Sequence, residues 1–403
     1  MRSLYSCVLV SSVQKEKLII AFTVLVDVIG FGIVIPILPF YVSSFGASPF
    51  VITLLFSVFA FFAFLSSPYL GALSDRVGRR PVLLISILST SIGWFVFAAA
   101  NSIPLLFLGR IIDGAAAGNF TVAQSSLVDI AGDEKERASN LGIVAGTFGV
   151  GFMVGPLLGG ALSKVSHAFP FWCAGLLALL NVVAAFFFLP ETNKKSNPEI
   201  TVSVNPLSPL RRALVNKKLR PLFVSWILFA VPFMASQTVF ALFAERAFGF
   251  DSFSTGFLFT FMGVFMAFNQ TVLLKRVWLR FFPETTLELI MIIVMAIGFL
   301  LTALQSLPLF YLSIALVAGG QSTLRVVMTS RATGMTEPHR KGEVIGILTS
   351  LMAASMVIAP LLAGVLFEVQ ISLPYIFGAT LMAIAIFIEL RNRMKLAAAS
   401  PSP

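Results

Sequence analysis

Charge and cysteine are both scarce in this chain. Lys, Arg, Asp and Glu make up only 11% of its 403 residues, against 58% hydrophobic, whereas soluble domains carry about 25% charge. That balance leaves almost no room for a soluble domain. The two cysteines, Cys7 and Cys173, lie far apart, and His167 and His339 are equally isolated, so neither a disulfide framework nor a metal site is expected. P-loop, nucleophile-elbow and zinc motifs are lacking too, which argues against ATP-driven transport and against an enzyme. Residues 1–14 contain one Arg and few apolar residues. That is too short a run for a secretory signal, and the stretch reads as an N-terminal tail.

What the chain has is long apolar runs. Twelve of them are long enough to cross the ~30 Å hydrocarbon core as helices of about 20 residues. The first six cover 18–41, 51–70, 81–100, 104–128, 139–162 and 170–190; the second six cover 220–243, 254–274, 286–304, 308–329, 343–367 and 373–390. The expectation is an all-α membrane protein of two six-helix bundles, 18–190 and 220–390, with a tail at 1–17, a polar linker at 191–219 and a tail at 391–403. The linker carries Lys194, Lys195, Arg211, Arg212, Lys217 and Lys218, with Pro198, Pro206 and Pro209. It reads as flexible, with a short surface helix near 207–217.

Charge placement orients the chain. Segments on the side of the termini hold Lys15, Lys17, Arg76, Arg79, Arg80, Lys135, Arg137, the linker, Lys275, Arg276, Arg280, Arg331, Arg340, Lys341, Arg391, Arg393 and Lys395; the opposite segments hold Lys164 and Arg246. Basic residues are retained in the cytoplasm, so both termini are expected there, in a multi-pass protein of the cell membrane. The net charge of +10 is then a topology signal, and no nucleic-acid partner is expected. The halves repeat weakly: Gly142, Pro156 and Gly160 recur at one constant offset as Gly346, Pro360 and Gly364, which suggests two related halves. The stretch 274–283, LKRVWLRFFP, is the degraded second copy of a more elaborate loop in the first half.

That loop, Gly71–Pro81, reads GALSDRVGRRP. Gly71 and Gly78 are expected to permit a tight turn. The pattern resembles motif A of the major facilitator superfamily, between helices 2 and 3, and implies a secondary transporter with the major facilitator fold. In that family an acidic residue at the end of the fourth span pairs with motif A arginines when the cytoplasmic gate is closed. The resemblance carries this role to Asp75, Arg76, Arg79 or Arg80, and Asp129, and places Asp75 near a helix N-terminus of the other half, whose dipole favours an anion.

Asp27 lies about ten residues into the first span, near the bilayer centre at ~1.5 Å per residue. A charge there costs at least ~2.5–3.5 kcal/mol, which makes Asp27 a candidate proton acceptor. Its surroundings, with Gly30, Gly32, Pro36 and Pro39, resemble the first helix of the 12-helix drug/proton antiporters, including tetracycline/proton antiporters. Arg110 matches the family's motif B arginine, linked to proton coupling. Asp113, at i+3, is placed to neutralise it or to add a protonatable group. Gly142, Gly151, Gly155, Pro156, Gly159 and Gly160 form a small-residue stripe suited to close helix packing and resemble motif C, which marks antiporters.

Asn119, Gln124, Gln237, Asn269, Gln270 and Gln321 are candidate substrate-cavity residues, with interhelical hydrogen bonding as the alternative for each. Some of the 41 Phe residues are expected to line an adaptable apolar pocket. One departure stands out. Tetracycline antiporters carry an aspartate within the third span, and this chain has Gly93 there, which argues for a different drug-like or amphipathic substrate. The resemblance therefore implies a monomeric, proton-driven exporter of small molecules, embedded in the bilayer and needing no cofactor. A uniporter or symporter for a small metabolite is the alternative within transport, and a non-transporting receptor or scaffold the alternative outside it.

Overall fold

A computed structural model of the chain describes residues 2–193, 205–216, 219–337 and 340–399. Among them there is no strand, and twelve helical segments are long and apolar enough to cross a membrane. The protein is a multi-pass membrane protein. Residues 1, 194–204, 217–218, 338–339 and 400–403 lie outside the described residues, and with them Lys194, Lys195, Pro198, Lys217, Lys218, His339 and the end of the C-terminal tail.

The chain divides into two compact units. The first comprises Met1–Ala47, Val58–Asn205 and Asp251–Thr260, and the second Ser48–Ser57, Pro206–Phe250 and Phe261–Pro403. The boundary does not follow the expected bundle limits. The start of the second span belongs to the second unit, and the start of the eighth to the first.

The first unit starts with α1 (Arg2–Val34), which continues through the stretch read as a tail. Pro36 lacks the N–H that a helical residue donates, and Pro39 is suited to the first turn of a new helix. The first span therefore stops at Val34, and a short α2 (Leu38–Ser43) follows. Only Gly78 separates α3 (Pro49–Val77) from α4 (Arg79–Ala98). Its φ of +106° is a backbone state that glycine adopts without steric cost. Gly71, in contrast, sits inside α3 and makes no turn. The fourth span is broken: α5 (Ile103–Ala115) and α6 (Asn119–Asp129) are joined by three non-helical residues. Serines of α3 cover carbonyls freed at the break, Ser66 Oγ donating to the Gly114 oxygen at 2.8 Å and Ser67 Oγ to that of Ala117 at 2.6 Å. A break inside a membrane is tolerated where side chains re-satisfy the backbone in this way. Then come α7 (Glu134–Leu162) and α8 (Phe169–Phe188). α1 packs on α7 and α8, and α4 on α5 and α8.

The second unit holds the short α9 (Ser208–Val215), in the place expected for a surface helix. α10 (Arg220–Phe248) and α11 (Ser252–Phe268) follow. Residues 269–278 wind as a wider π-helix into α12 (Leu279–Phe281), so most of LKRVWLRFFP is helix rather than loop. α13 (Glu284–Ala303), α14 (Leu307–Gly334), α15 (Lys341–Val369) and α16 (Leu373–Ala399) complete the chain.

Candidate functional site

The break in the fourth span positions the site. Gly118 lies against α3 and α4 so closely that a Cβ there would meet Leu70 at 2.9 Å and Ser86 at 3.0 Å. The chain then restarts at Asn119, whose Nδ2 donates to Asp27 Oδ1 at 2.9 Å and also approaches Thr90 Oγ1 at 3.3 Å. Thr90 hydrogen-bonds the Asp113 carboxylate in turn, and Asp113 pairs with Arg110 at 3.1 Å. Side chains of α1, α6, α4 and α5 thus form one polar chain: Asp27, Asn119, Thr90, Asp113, Arg110. Thr90 is not among the expected residues, because a lone threonine in an apolar run carries no signal in sequence.

The two carboxylates differ in compensation. Asp113 has the guanidinium of Arg110, which is 2% exposed and lies over the rings of Phe59 at 4.1 Å and Trp94 at 5.0 Å. Asp27 has only the amide of Asn119, with no cation bonded to it among the described residues. It faces a small cavity beside Thr23, Leu83 and Phe120.

Gly93 has a steric reason. A Cβ there would stand 2.8 Å from the Gly109 carbonyl oxygen and 2.9 Å from Asp113 Cβ. The close contact of α4 and α5 therefore excludes any side chain at this position. A carboxylate is present beside it nonetheless, supplied by Asp113 from the neighbouring helix.

Four motif C positions pack α7 closely on its neighbours. A Cβ at Gly151 would meet Val28 Cβ at 2.8 Å, one at Gly155 would meet Gly32 Cα at 2.7 Å, and one at Gly159 would overlap the Ile33 carbonyl. The stripe thus seats the helix that carries Asp27. A Cβ at Gly160, one turn beyond the helix-interior Pro156, would meet Phe253 Cα at 3.1 Å. Gly142 takes no part, since a Cβ there would stand in open space.

The motif A residues form a second cluster. Arg79 bonds Asp75 at 2.6 Å and Asp129 at 2.8 Å, which decides between the two candidate arginines. Arg80 instead donates to the Phe186 carbonyl and lies over its ring; Arg76 is exposed. The expected linker starts too early. Glu191 accepts the backbone N–H groups of Arg79 at 2.9 Å and Arg80 at 3.0 Å, satisfying donors that a helix start leaves free. Gly78 makes room for it, because a Cβ there would come within 3.0 Å of the Glu191 carboxyl carbon. Asn193 donates to the Asp75 carbonyl, so residues 191–193 are anchored to the α3–α4 junction.

In the second unit, Glu288 and Glu389 both meet Arg331. Both acids stand in the sequence as carboxylates inside the ninth and twelfth spans. Asn269 is engaged at both ends: Nδ2 donates to Ser322 at 2.7 Å and Thr323 at 2.8 Å, and Oδ1 accepts from Trp278 at 2.9 Å. It ties helices together and leaves little for a ligand. Gln237 lines a cavity with Phe233, Phe240, Phe299, Ile314 and Tyr375. Gln321 is buried in α14 with its Oε1 unpartnered. Gln270 is exposed and Gln124 half-buried, and neither joins the polar chain.

The family model described as Major Facilitator Superfamily matches residues 20–287 and 278–399. The class B tetracycline resistance protein of Escherichia coli is 29% identical, over 88% of this chain and 89% of its own length. The quinolone resistance protein NorA of Staphylococcus aureus is 25% identical, over 95% and 98%. Among solved structures, a bacterial homolog of the human lysosomal transporter Spinster, inward-facing and unoccupied, superposes with a TM-score of 0.76 at 17% identity, covering 97% of this chain and 99% of that one.

Proposed function

The chain belongs to the major facilitator superfamily, and on that footing we propose that it is a proton-coupled antiporter exporting drug-like, amphipathic small molecules by alternating access. The family is one of transporters rather than enzymes. Resistance proteins against tetracycline and quinolones align over most of the chain, which supports drug efflux as the direction and class of transport. The observation that carries the coupling is the polar chain from Asp27 to Arg110.

Asp27 is the group that takes up and releases the proton. It is the carboxylate of the pair without a cation partner among the described residues, so its charge is the costlier one to keep in the membrane. Loss or gain of its charge alters what Asn119 bonds, and through Thr90 what Asp113 and Arg110 feel. Motif C seats α1 by backbone contact, so a shift of that helix is felt along α7. The Asp75–Arg79–Asp129 cluster, with Glu191 on the α4 N-terminus, serves as the cytoplasmic gate, and both termini lie in the cytoplasm. An exchange moving one positive charge inward gains ~2.3 kcal/mol per 100 mV, roughly a fortyfold concentration ratio at 1.4 kcal/mol per factor of ten.

Tetracycline itself fits less well, since close packing excludes a third-span carboxylate at Gly93 and Asp113 presents one from the fourth span instead. The test is a dye and drug panel in inverted vesicles, wild type beside Asp27→Asn, reading proton release on substrate addition. Collapse of the pH gradient with wild type alone is the expected result. Equal, pH-independent substrate movement in both would overturn it in favour of a uniporter.

A further inference from the structure

The short helix α9 (Ser208–Val215) turns its apolar side away from the protein. Leu207, Leu214 and Val215 are all more than half exposed, whereas Ala213 is buried. At ~100° per residue, Leu207, Arg211, Leu214 and Val215 share one face, and Ala213 lies on the other side. A surface helix ordinarily buries its apolar stripe on the core and shows its polar face to water. Exposed apolar side chains on the spans meet lipid, but α9 is not a span. Its outward aliphatic face, with an arginine in the middle, therefore has no account in the fold.

The contacts of α9 fix the level at which that face lies. Asn216, the next residue, accepts the backbone N–H of Arg220 at 2.8 Å on its carbonyl and that of Leu219 at 3.1 Å on Oδ1. Arg212 pairs at 3.4 Å with Glu343, in the first turn of α15. Two spans begin at these points, one at Arg220 and one at Lys341, so α9 lies where the chain enters the bilayer. The exposed charge around it is of one sign: Arg211, Arg212, Arg220, Arg340 and Lys341. Glu343 is shared by Arg212 and Arg340, and Arg211, Arg220 and Lys341 join no ion pair among the described residues. Retention of basic residues on one side of the membrane explains the side on which these cations stand. It does not explain an arginine centred in an exposed apolar face.

We propose that α9, with the starts of α10 and α15, is a docking surface for anionic phospholipid of the adjoining leaflet. Leu207, Leu214 and Val215 enter the boundary between headgroups and acyl chains, and Arg211, Arg220 and Lys341 meet the phosphates. Arg211 keeps its aliphatic stem on the apolar face while its guanidinium reaches the headgroup layer, where it can take two phosphate oxygens at once. Charge complementarity selects an anionic surface, and the position beside two span entrances puts the leaflet within reach of α9. The site ties the stretch between the two six-helix sets to the membrane. It rests on neither proton coupling nor the identity of the exported compound.

The test uses the full chain in nanodiscs of phosphatidylcholine mixed with phosphatidylglycerol. A bimane fluorophore is attached at Ser208→Cys in a Cys7→Ser, Cys173→Ser background. It is quenched by spin labels near the headgroup, carried on one lipid or the other, and relative affinity is read from the quenching titration. A cation near the membrane surface is worth about fivefold, so the unsubstituted face is expected to favour phosphatidylglycerol by about fivefold or more. Arg211→Gln should lower that preference about fivefold, and joint replacement of Arg211, Arg220 and Lys341 by Gln should abolish it. Arg211→Lys should keep it, as should Arg280→Gln, which removes an exposed cation of α12. Leu214→Ser with Val215→Ser should weaken quenching by both lipids alike. Equal quenching by the two lipids with the unsubstituted face overturns the proposal, as does a preference that survives the triple replacement. An equal loss in Arg280→Gln and Arg211→Gln also overturns it, because net charge would then account for the effect. Quenching by neither lipid overturns it as well and gives the face to another occupant, residues 194–204 or a second protein.

Discussion

The two units of this protein carry their buried charge at different depths. In the first, two carboxylates and an arginine are joined at mid-span through Asn119 and Thr90. In the second, the buried carboxylates Glu288 and Glu389 sit near span ends around Arg331. Its mid-span is aromatic, with Arg325 unpaired among the described residues. Both units also tie three helices at one end, but with opposite polarity of design. The first places its arginine at the start of α4, between acids of α3 and α6; the second places its arginine near the end of α14, between acids of α13 and α16. The lesson is that weakly repeated halves divide the work. One holds a connected titratable chain, and the other holds an apolar, aromatic cavity.

The largest expected effect contrasts the two mid-span arginines. Arg110→Leu leaves Asp113 buried without its cation, and breaking such a pair costs about 3–5 kcal/mol. Transport and detergent melting temperature should both collapse. Arg325→Leu removes a guanidinium that is in no ion pair among the described residues, so melting should hold or rise. A melting loss equal to that of Arg110→Leu would erase the distinction drawn between them.

The two end clusters separate next. Glu288 is 1% exposed, so Arg331→Gln strands a fully buried carboxylate and should cost about 3–5 kcal/mol. Asp75 and Asp129, the partners of Arg79, reach solvent with 46% and 26% of their side chains exposed. Arg79→Gln should therefore cost about 1 kcal/mol in stability and show mainly in transport rate. Thermal melts of the pair, read beside initial efflux rates, check this ordering.

Glycine positions give an intermediate effect. Gly159→Ala puts a methyl group onto the Ile33 backbone and should destabilise by about 1–3 kcal/mol, disturbing the helix that carries Asp27. Gly142→Ala, with open space around it, should melt as wild type or slightly higher. Equal melts for the two would remove the packing role assigned to the stripe.

The smallest effect is electrostatic and lies outside the spans. Lys17 bonds the Glu136 carboxylate and holds it below its ordinary value of 4.5. A depressed carboxyl stabilises the fold above that value and loses its contribution as pH falls below it. The melting difference between wild type and Glu136→Gln should be small at pH 7, shrink with salt, begin to fall as pH drops below 4.5, and vanish only below the depressed folded value. A difference that grows on acidification would reverse the sign argued here.

Much of the site is legible in the amino-acid sequence. Asp27, Arg110 and Asp113 are visible as charges inside apolar runs, and GALSDRVGRRP identifies its own loop. Arg325, Glu288 and Glu389 are equally visible by that criterion and simply lack a motif to draw attention to them. Thr90 is not visible, because a threonine has no signature until its neighbours are known. Glu191 is hidden differently, since it opens a polar stretch that composition alone assigns to a linker.

What the sequence determined by itself was therefore the set of twelve spans, the turn at Gly78 and the depth at which charges lie, whereas the stop of the first span before Pro36 came from the structure. Hydropathy and backbone preference are local, and a window of about 20 residues contains them. The tertiary structure alone decided which groups meet. It brought Asn119 to Asp27 and Glu191 to the start of α4, chose Arg79 over Arg80 for Asp129, and explained Gly93 by the contact of two helices. Those pairings join residues far apart in the chain, and only the packing of one helix on another sets the distance between them.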